Sequence, residues 1–429
     1  MQGLLQGRRV LVAACGSIAA VKTPLLVSAL VKAGAQVRCV LTPSAARLVS
    51  PLALATLSRQ PCLQNADQWD PSCPRPLHIE LAEWAELVIV APLSATSLSR
   101  WVQGSGEGLL ASILLACECP VLAAAAMNTA MWRHAAVRQN WRRLDDDPRV
   151  LPLAPEGGLL ACDRVGAGRM ASPGRIELAA ASALLQADVD GNLRSDWRGR
   201  HVLVTAGPTQ EALDCVRLMS NRSSGRMGVL LAQAALLRGA TVDLVHGPLQ
   251  VPESWMEGLN CHPVDSSAAM DDKLRQLQPR ADAVLMCAAV ADLRRSSADR
   301  DQKVPKDQLI CSLEDGWELV PDLLQGLSQR RSAGQSLLGF AALTGSDEEM
   351  LTLGRHKLRA KGCDLLMVNP IDRPDQGLES AFNAGWLLGP GDQVEHCSLM
   401  DKLSLSHRLL DRLLSVDGQH TEAARAGLG

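Results

Sequence analysis

Tyrosine is absent from these 429 residues and phenylalanine occurs only twice, so an aromatic platform for a ring ligand has to be one of nine tryptophans or one of those two. No Cys-x-x-Cys pair occurs, and the thirteen cysteines, odd in number, are spread along the chain. That pattern argues for free thiols in a reducing cytoplasm and against a disulfide framework or a zinc site. Neither sign of charge is in excess: 43 Lys plus Arg stand against 46 Asp plus Glu, a net charge of −3. Such a balance gives no reason to expect nucleic acid or an anionic membrane as partner, and a small-molecule role fits better. No run approaches the ~18 uninterrupted apolar residues of a membrane span. Residues 1–9 lack the apolar core of a secretory signal, so a cytoplasmic protein is expected.

What is present is small and hydroxylic. Ser220-Asn221-Arg222-Ser223-Ser224-Gly225-Arg226-Met227-Gly228 follows an apolar strand that ends in Thr205-Ala206-Gly207-Pro208-Thr209. Small side chains let backbone N–H groups approach a ligand, and the second segment feeds a helix-like apolar stretch whose N-terminus suits an anion. An ordinary strand-turn-helix corner is the bland account. Two such loops flanking one strand-helix unit, with Asn221 among them, favour a nucleotide site.

The opening is repeated. Gly7-Arg8-Arg9-Val10-Leu11-Val12 is echoed by Gly199-Arg200-His201-Val202-Leu203-Val204, each followed by a small-residue loop and a helical pattern. Gly34 and Gly239 then end the two helices just before a second apolar strand. Two β-α-β units with parallel strands are the natural reading, each opening its own domain. Further buried strands are expected at 87–91, 120–124 and 150–153, and at 283–287, 336–340, 364–368 and 386–388. The class is α/β with two Rossmann-like domains, divided in the polar stretch 188–198 into 1–190 and 191–429.

Ligands of such sheets sit beyond the carboxyl ends of the strands. After the first strand come Gly16, Ser17 and Ile18, a glycine and a hydroxyl suited to a phosphate. After the strand at 87–91 come Ser94 and Thr96, able to hold polar edges of a ring or a ribityl chain. After the strand at 120–124 come Met127 and Asn128; an amide there binds a carboxylate, or caps the next helix, the commoner role of an isolated asparagine.

Gly16-Ser17-Ile18-Ala19, His78-Ile79-Glu80-Leu81, Ala126-Met127-Asn128, Ala161-Cys162-Asp163 and Gly166-Ala167-Gly168-Arg169-Met170, in that order, resemble the flavin-dependent cysteine decarboxylases. Thr205 to Thr209, the Ser220 to Gly228 run and Cys287-Ala288-Ala289-Val290-Ala291-Asp292 resemble phosphopantothenate–cysteine ligase. The whole is similar to the family of bifunctional enzymes that combine the two in coenzyme A synthesis.

For the first half the resemblance implies a flavodoxin-like domain that binds FMN, the electron sink for decarboxylating 4′-phosphopantothenoylcysteine. Gly16, Ser17, Ile18, Ser94, Thr96 and Met127 then contact the cofactor. His78, placed in a loop before an amphipathic stretch, acts in the oxidative phase, and Asn128 holds the substrate carboxylate. Cys162 becomes the proton donor, on a glycine-rich flap at 157–168 that closes over the substrate. A thiol, with an ordinary pKa of about 8.5, delivers a proton near neutrality as a serine cannot.

For the second half the resemblance implies joining 4′-phosphopantothenate to L-cysteine through an acyl-cytidylate, with CTP as activator and Mg²⁺ on its phosphates. Lys303 is the catalytic lysine of the first half-reaction, and Asn221 is the asparagine that the acyl-cytidylate requires. Gly207, Asp292, Lys306, Pro321, Asp322, Phe340, Lys357 and Lys361 complete the nucleotide contacts. Lys357 and Lys361 are spaced i, i+4 on one helix face and aimed together at one anion, although solvated lysines show the same spacing. Homo-oligomerisation is also implied, trimeric in the flavin half with FMN at a subunit interface and dimeric in the ligase half, together a dodecamer. Metal ligands are not specified.

The chain departs from the family pattern at several positions. Glu107-Gly108 replaces an Asn-Asp-like pair, Ala125 a proline, Arg226 a lysine, Leu293 an aromatic, Val320 an asparagine and Leu343 a glutamate. Two other function classes compete with the bifunctional enzyme. One is a flavin-binding regulatory homologue without ligase activity, opposed by intact His78, Asn128 and Cys162. The other is a dinucleotide oxidoreductase, opposed by the lack of Gly-x-Gly-x-x-Gly after either opening strand.

Overall fold

The first apolar run, Val10 to Ala13, is hydrophobic on both faces, which an extended segment satisfies only inside a sheet covered on both sides. In the computed structural model it forms β1 (Arg9–Ala14), whose residues from Val10 onward are buried. The structure describes residues 3–72, 74–296, 302–308, 314 and 316–426, with only the backbone for 392 and 417–426. Its chain divides into two compact units, residues 1–195 with 253–257 and residues 196–252 with 258–429.

The first unit is a parallel sheet of β1, β2 (Gln36–Leu41), β3 (Cys62–Gln64), β4 (Leu87–Leu93), β5 (Val121–Ala125) and β6 (Val150–Leu153), in the order β3-β2-β1-β4-β5-β6. Val10 faces Val37 on one side and Leu87 on the other, so the order reverses between β1 and β4. At that switch point two strand-tip loops diverge and leave a crevice. One face of the sheet packs Leu81, Leu98, Leu109 and Ile113 from the covering helices. Each such side chain, fully withdrawn from water, contributes about 1.5–3 kcal/mol.

The second unit starts with β7 (His201–Ala206), then makes an antiparallel ribbon of β8 (Gln210–Ala212) and β9 (Leu218–Ser220) before the helix Arg226–Leu237. There follow β10 (Thr241–His246), β11 (Asn260–Pro263), β12 (Ala283–Met286), a second ribbon of β13 (Leu293–Arg295) and β14 (Trp317–Leu319), then β15 (Ser336–Leu343) and β16 (Leu365–Pro370). β17 (Phe382–Leu388), β18 (Val394–Asp401) and the helix Lys402–Ala426 end it. The sheet order is β11-β10-β7-β12-β15-β16-β17-β18, parallel as far as β16, with its switch point between β7 and β12.

The α/β class with two doubly wound sheets stands as expected from the sequence. Three features go beyond the parallel strands expected of the two opening β-α-β units. β17 and β18 run antiparallel, because the turn of Gly389 to Gln393 is too short for a crossover. The two ribbons had no counterpart in the expectation, since their three-residue strands carry too little periodicity to read, and the eight-residue β18 had none either. Among the described residues no helix is long and apolar enough to cross a membrane.

Candidate functional site

In the first unit, Gly16, Ser17, Ile18, Ser94, Thr96, Met127, Asn128 and Cys162 line one cavity of about 610 Å³ at the β1/β4 switch point. Gly16 is there for packing: a Cβ on it would stand 2.4 Å from that of Ser44. Ser94 caps the helix Ala95–Val102 by accepting from the Ser97 amide at 3.3 Å, whereas the Ser17 hydroxyl caps nothing. Leu159, Leu160, Arg169, Met131 and Lys22 line the same cavity. Arg169 falls within the Gly-Arg-Met motif and Leu159 and Leu160 within the expected flap, whereas Lys22 and Met131 follow strand tips without having been assigned a role.

Cys162 is carried on a hairpin rather than an irregular flap. Bridges join Glu156 to Arg169 and Leu159 to Val165, and Gly158 and Gly166 exchange backbone hydrogen bonds at 3.2 and 3.0 Å. The tip Ala161-Cys162-Asp163 is a three-residue loop closed by Leu160 N–H to the Arg164 carbonyl at 2.9 Å, with Asp163 left-handed at φ 59°. At the base, Met127 N–H donates to the Gly168 carbonyl at 3.2 Å, and a Cβ on Gly168 would meet the Met127 carbonyl oxygen at 2.4 Å. Glycine there lets the hairpin close down on the tip of β5.

Of the two roles its sequence context allowed, Asn128 shows the helix cap. Its Oδ1 accepts from the Ala130 amide at 2.8 Å and caps the helix Thr129–Arg133. That fixes the amide, and Nδ2 points at the Cys162 sulfur at 3.2 Å. His78, by contrast, is not on the cavity. It is the second residue of the helix Leu77–Trp84 and not in a loop: Pro76 starts the helix, and buried Leu77 and Leu81 pull its first turn onto the core. Glu107 pairs with Arg100 at 3.3 Å, and Gly108 takes φ 95° beside Asn65, which caps the next helix through Leu109 N–H at 3.1 Å.

In the second unit, Asp292, Pro321, Asp322, Phe340, Lys357 and Lys361 line a cavity of about 340 Å³ over the carboxyl ends of β12 and β15. Val320, the position of the missing asparagine, lines it too. Lys361 is already engaged with Asp322 in an ion pair, so the two lysines do not stand open to a common anion as the spacing suggested. Burial pushes its ammonium pKa down, outweighing the opposing pull of Asp292 and Cys363. Lys303 and Lys306 are exposed on a loop off this cavity, and Gly207 and Asn221 do not line it either. Asn221 does reach its edge, donating Nδ2 to the carbonyls of Ala289 and Val290 at 3.3 and 2.9 Å.

Several residues of the small and hydroxylic loops that marked a nucleotide site in the sequence serve packing in the folded chain. Thr205 and Thr209 are fully buried. The Thr205 hydroxyl accepts from Cys287 and Ala288 N–H, each at 2.9 Å, and that of Thr209 from Ala291 N–H at 3.0 Å. The Ser224 hydroxyl donates to the Leu378 carbonyl at 3.2 Å, an oxygen shared with buried Lys402 at 3.3 Å. Burial pushes the Lys402 pKa down to about 8, against the pull of Cys287. A Cβ on Gly228 would fall 2.5 Å from the Thr205 carbonyl oxygen, so this glycine seats the helix on β7. Among the described residues, no group of three or more His, Cys, Asp or Glu is placed to hold a metal ion.

Comparison with known proteins adds to this geometry. Residues 2–182 match the family model described as Flavoprotein, and residues 197–416 that described as DNA/pantothenate metabolism flavoprotein C-terminal domain. The chain is 34% identical over 422 residues to the coenzyme A biosynthesis bifunctional protein CoaBC of Bacillus subtilis (strain 168), covering 98% of this chain and 100% of that protein. To the protein of the same name from Escherichia coli (strain K12) it is 34% identical over 418 residues, covering 96% and 98%. Among solved structures, the FMN binding protein AtHal3 is 34% identical with a TM-score of 0.37, covering 40% of this chain and 93% of that one.

Proposed function

Because the chain belongs to the family of coenzyme A biosynthesis bifunctional proteins, a flavoprotein domain followed by a pantothenate-metabolism C-terminal domain, we propose how its residues divide two reactions. It is an enzyme of coenzyme A biosynthesis with decarboxylase and ligase activities, and its first half is an FMN flavoprotein. In this reading residues 1–190 decarboxylate 4′-phosphopantothenoylcysteine. Residues 191–429 make that compound from 4′-phosphopantothenate, L-cysteine and CTP.

The observation that carries the decarboxylase assignment is the Asn128 Nδ2 to Cys162 Sγ contact over a cavity of cofactor size. The lining fits a flavin, with hydroxyls of Ser17, Ser94 and Thr96 for its polar parts and Ile18 and Met127 for its ring. FMN, when bound, would supply the electron sink that cysteinyl decarboxylation requires and return the same two electrons to the enethiolate. Asn128, its Oδ1 committed to the helix cap, has only N–H donors to offer, which suits a substrate carboxylate. Cys162 Sγ, beside it, delivers a proton to the enethiolate carbon after carbon dioxide leaves. The hairpin 156–169 keeps water from that carbon.

His78 does not reach the cavity of its own chain. The reading therefore places it at the cavity of another copy, in a homo-oligomer whose flavin half is trimeric. Mixing refolded His78→Asn and Cys162→Ser chains, neither of which completes the reaction to 4′-phosphopantetheine, is expected to restore formation of that product in a fraction of sites. No restoration confines the active site to one chain.

For the ligase, Phe340 supports the base, Asp292 and Asp322 the sugar and ring edge, and Lys357 the polyphosphate, joined by Lys361 once CTP displaces it from its ion pair with Asp322. Lys303 acts in acyl-cytidylate formation and Asn221 on the intermediate. Mg²⁺ rides on the phosphates of CTP, which suits a chain without a carboxylate cluster among its described residues. The assay is pyrophosphate release that needs CTP, phosphopantothenate and this protein together. Protein that leaves CTP untouched and cannot be reconstituted with flavin ends the proposal.

A further inference from the structure

Asp214 lies in the turn between β8 and β9 and is only 3% exposed. Its Oδ1 accepts from the amides of Val216 and Arg217 at 2.8 and 2.7 Å, the local bonds of an Asx turn. Its Oδ2 has a second, non-local task. It accepts from Arg217 Nη1 at 2.8 Å and from the amide of Val304 at 3.3 Å, ninety residues further along the chain. The same Arg217 Nη1 donates to the Val304 carbonyl at 3.2 Å, and Cys215 N–H reaches the Gln302 carbonyl at 3.5 Å. Val304 is thus gripped at both its N–H and its C=O.

The gripped residue stands next to Lys303 and two before Lys306. Both lysines are exposed, and neither ammonium has an ion pair or hydrogen bond among the described residues. Pro305 further confines Val304 to extended conformations. The backbone of this loop is fixed while its charges are left open to a ligand. Burial works against the charge on Asp214, yet the amides of Val216, Arg217 and Val304 and the Arg217 guanidinium prevail and hold its carboxyl below the usual range. A carboxylate that stays charged, accepts on every side and donates nowhere is what a two-sided backbone grip needs.

We propose that Asp214 is a positioning residue of the ligase reaction: with Arg217 it holds the backbone of Val304 so that Lys303 meets the activated phosphate. This rests on the assignment of Lys303 to acyl-cytidylate formation. Asp214→Asn separates the two tasks of the side chain. The amide oxygen keeps the local turn, while the NH₂ group meets the Val304 N–H and Arg217 as donor against donor.

The test uses the full-length protein and measures CTP-dependent pyrophosphate release, with decarboxylation of preformed substrate as an internal control. Asp214→Asn is expected to lower ligase kcat about tenfold, with KM for CTP nearly unchanged, and to add nothing further in a Lys303→Gln background. Full ligase activity in Asp214→Asn, or a loss that multiplies with that of Lys303→Gln, overturns the inference while leaving the lysine assignment intact. Full activity in Lys303→Gln removes that assignment and this inference with it. If Asp214→Asn does not fold, hydrogen exchange on the unmodified chain decides: a Val304 amide exchanging at the unprotected rate refutes the grip.

Discussion

Asn128 offers a clean separation of structure from chemistry, because its two side-chain atoms have different partners. Oδ1 caps the helix Thr129–Arg133 through Ala130 N–H at 2.8 Å, and Nδ2 faces Cys162 at 3.2 Å. Asn128→Asp retains the acceptor, and a negative charge at a helix N-terminus adds about 0.3–1 kcal/mol. It replaces the donor by a charged oxygen facing the substrate carboxylate. Losing one hydrogen bond to a charged group costs about 1.5–3 kcal/mol. At about 1.36 kcal/mol per decade, decarboxylation slows by roughly 10- to 150-fold, and like-charge repulsion adds to that. Asn128→Ala loses the same donor together with the cap, worth about 1 kcal/mol. In a unit of this size that lowers Tm by about 2–4 °C. Trp132, in the capped helix and edge-on to Trp141 at 5.1 Å, gives a fluorescence signal for the melt. Carbon dioxide release from preformed substrate gives the rate. The reasoning is refuted if Asn128→Asp decarboxylates within about threefold of the parent, since no interaction of that size was then lost. It is equally refuted if Asn128→Ala melts with the parent.

Cys162→Ser is expected to release carbon dioxide and then stall, leaving an oxidised enethiol product; normal product at the normal rate removes the donor role. Phe340→Ala should raise KM for CTP about 5- to 150-fold, the value of one stacked base, with decarboxylation untouched, and an unchanged KM makes Phe340 a core residue only. Asp243 is buried and accepts from His201 Nε2 at 2.6 Å, His262 Nε2 at 2.9 Å and Arg280 Nη2 at 2.6 Å. Burial raises its pKa, but the bonds from His262, Arg280 and His201 outweigh it and hold the carboxyl below its ordinary value. Its contribution is therefore present above the unfolded carboxylate pKa and lost as pH falls through the depressed one. Asp243→Asn should destabilise the second unit by about 2 kcal/mol at neutral pH, with the gap to the parent closing in acid; a gap independent of pH contradicts this.

The two switch-point sheets were legible because their signal is local: an apolar run, a small-residue loop and a glycine-ended helix, twice over at Val10 and at Val202. The antiparallel end of the second sheet was not, since pairing direction depends on how far the turn at 389–393 reaches. Gly16, Ser17, Ile18, Ser94, Thr96, Met127 and Asn128 could be named from strand tips, because strand order places every such tip on one edge, whereas Cys162 came from the resemblance. His78 shows the limit of that rule, as a motif residue that its own fold puts off the cavity.

The sequence by itself determined the class, the two-unit plan and the chemistry that each strand tip can offer, all set by side-chain type and spacing along the chain. Tertiary structure decided which of those groups remain open to a ligand. Thr205 and Thr209 look like ligand-binding hydroxyls until the loop at 287–291 takes them, and Lys361 looks like an open cation until Asp322 pairs with it. A hydrogen-bonding group satisfies whatever partner the fold brings nearest, and that partner can lie eighty residues away.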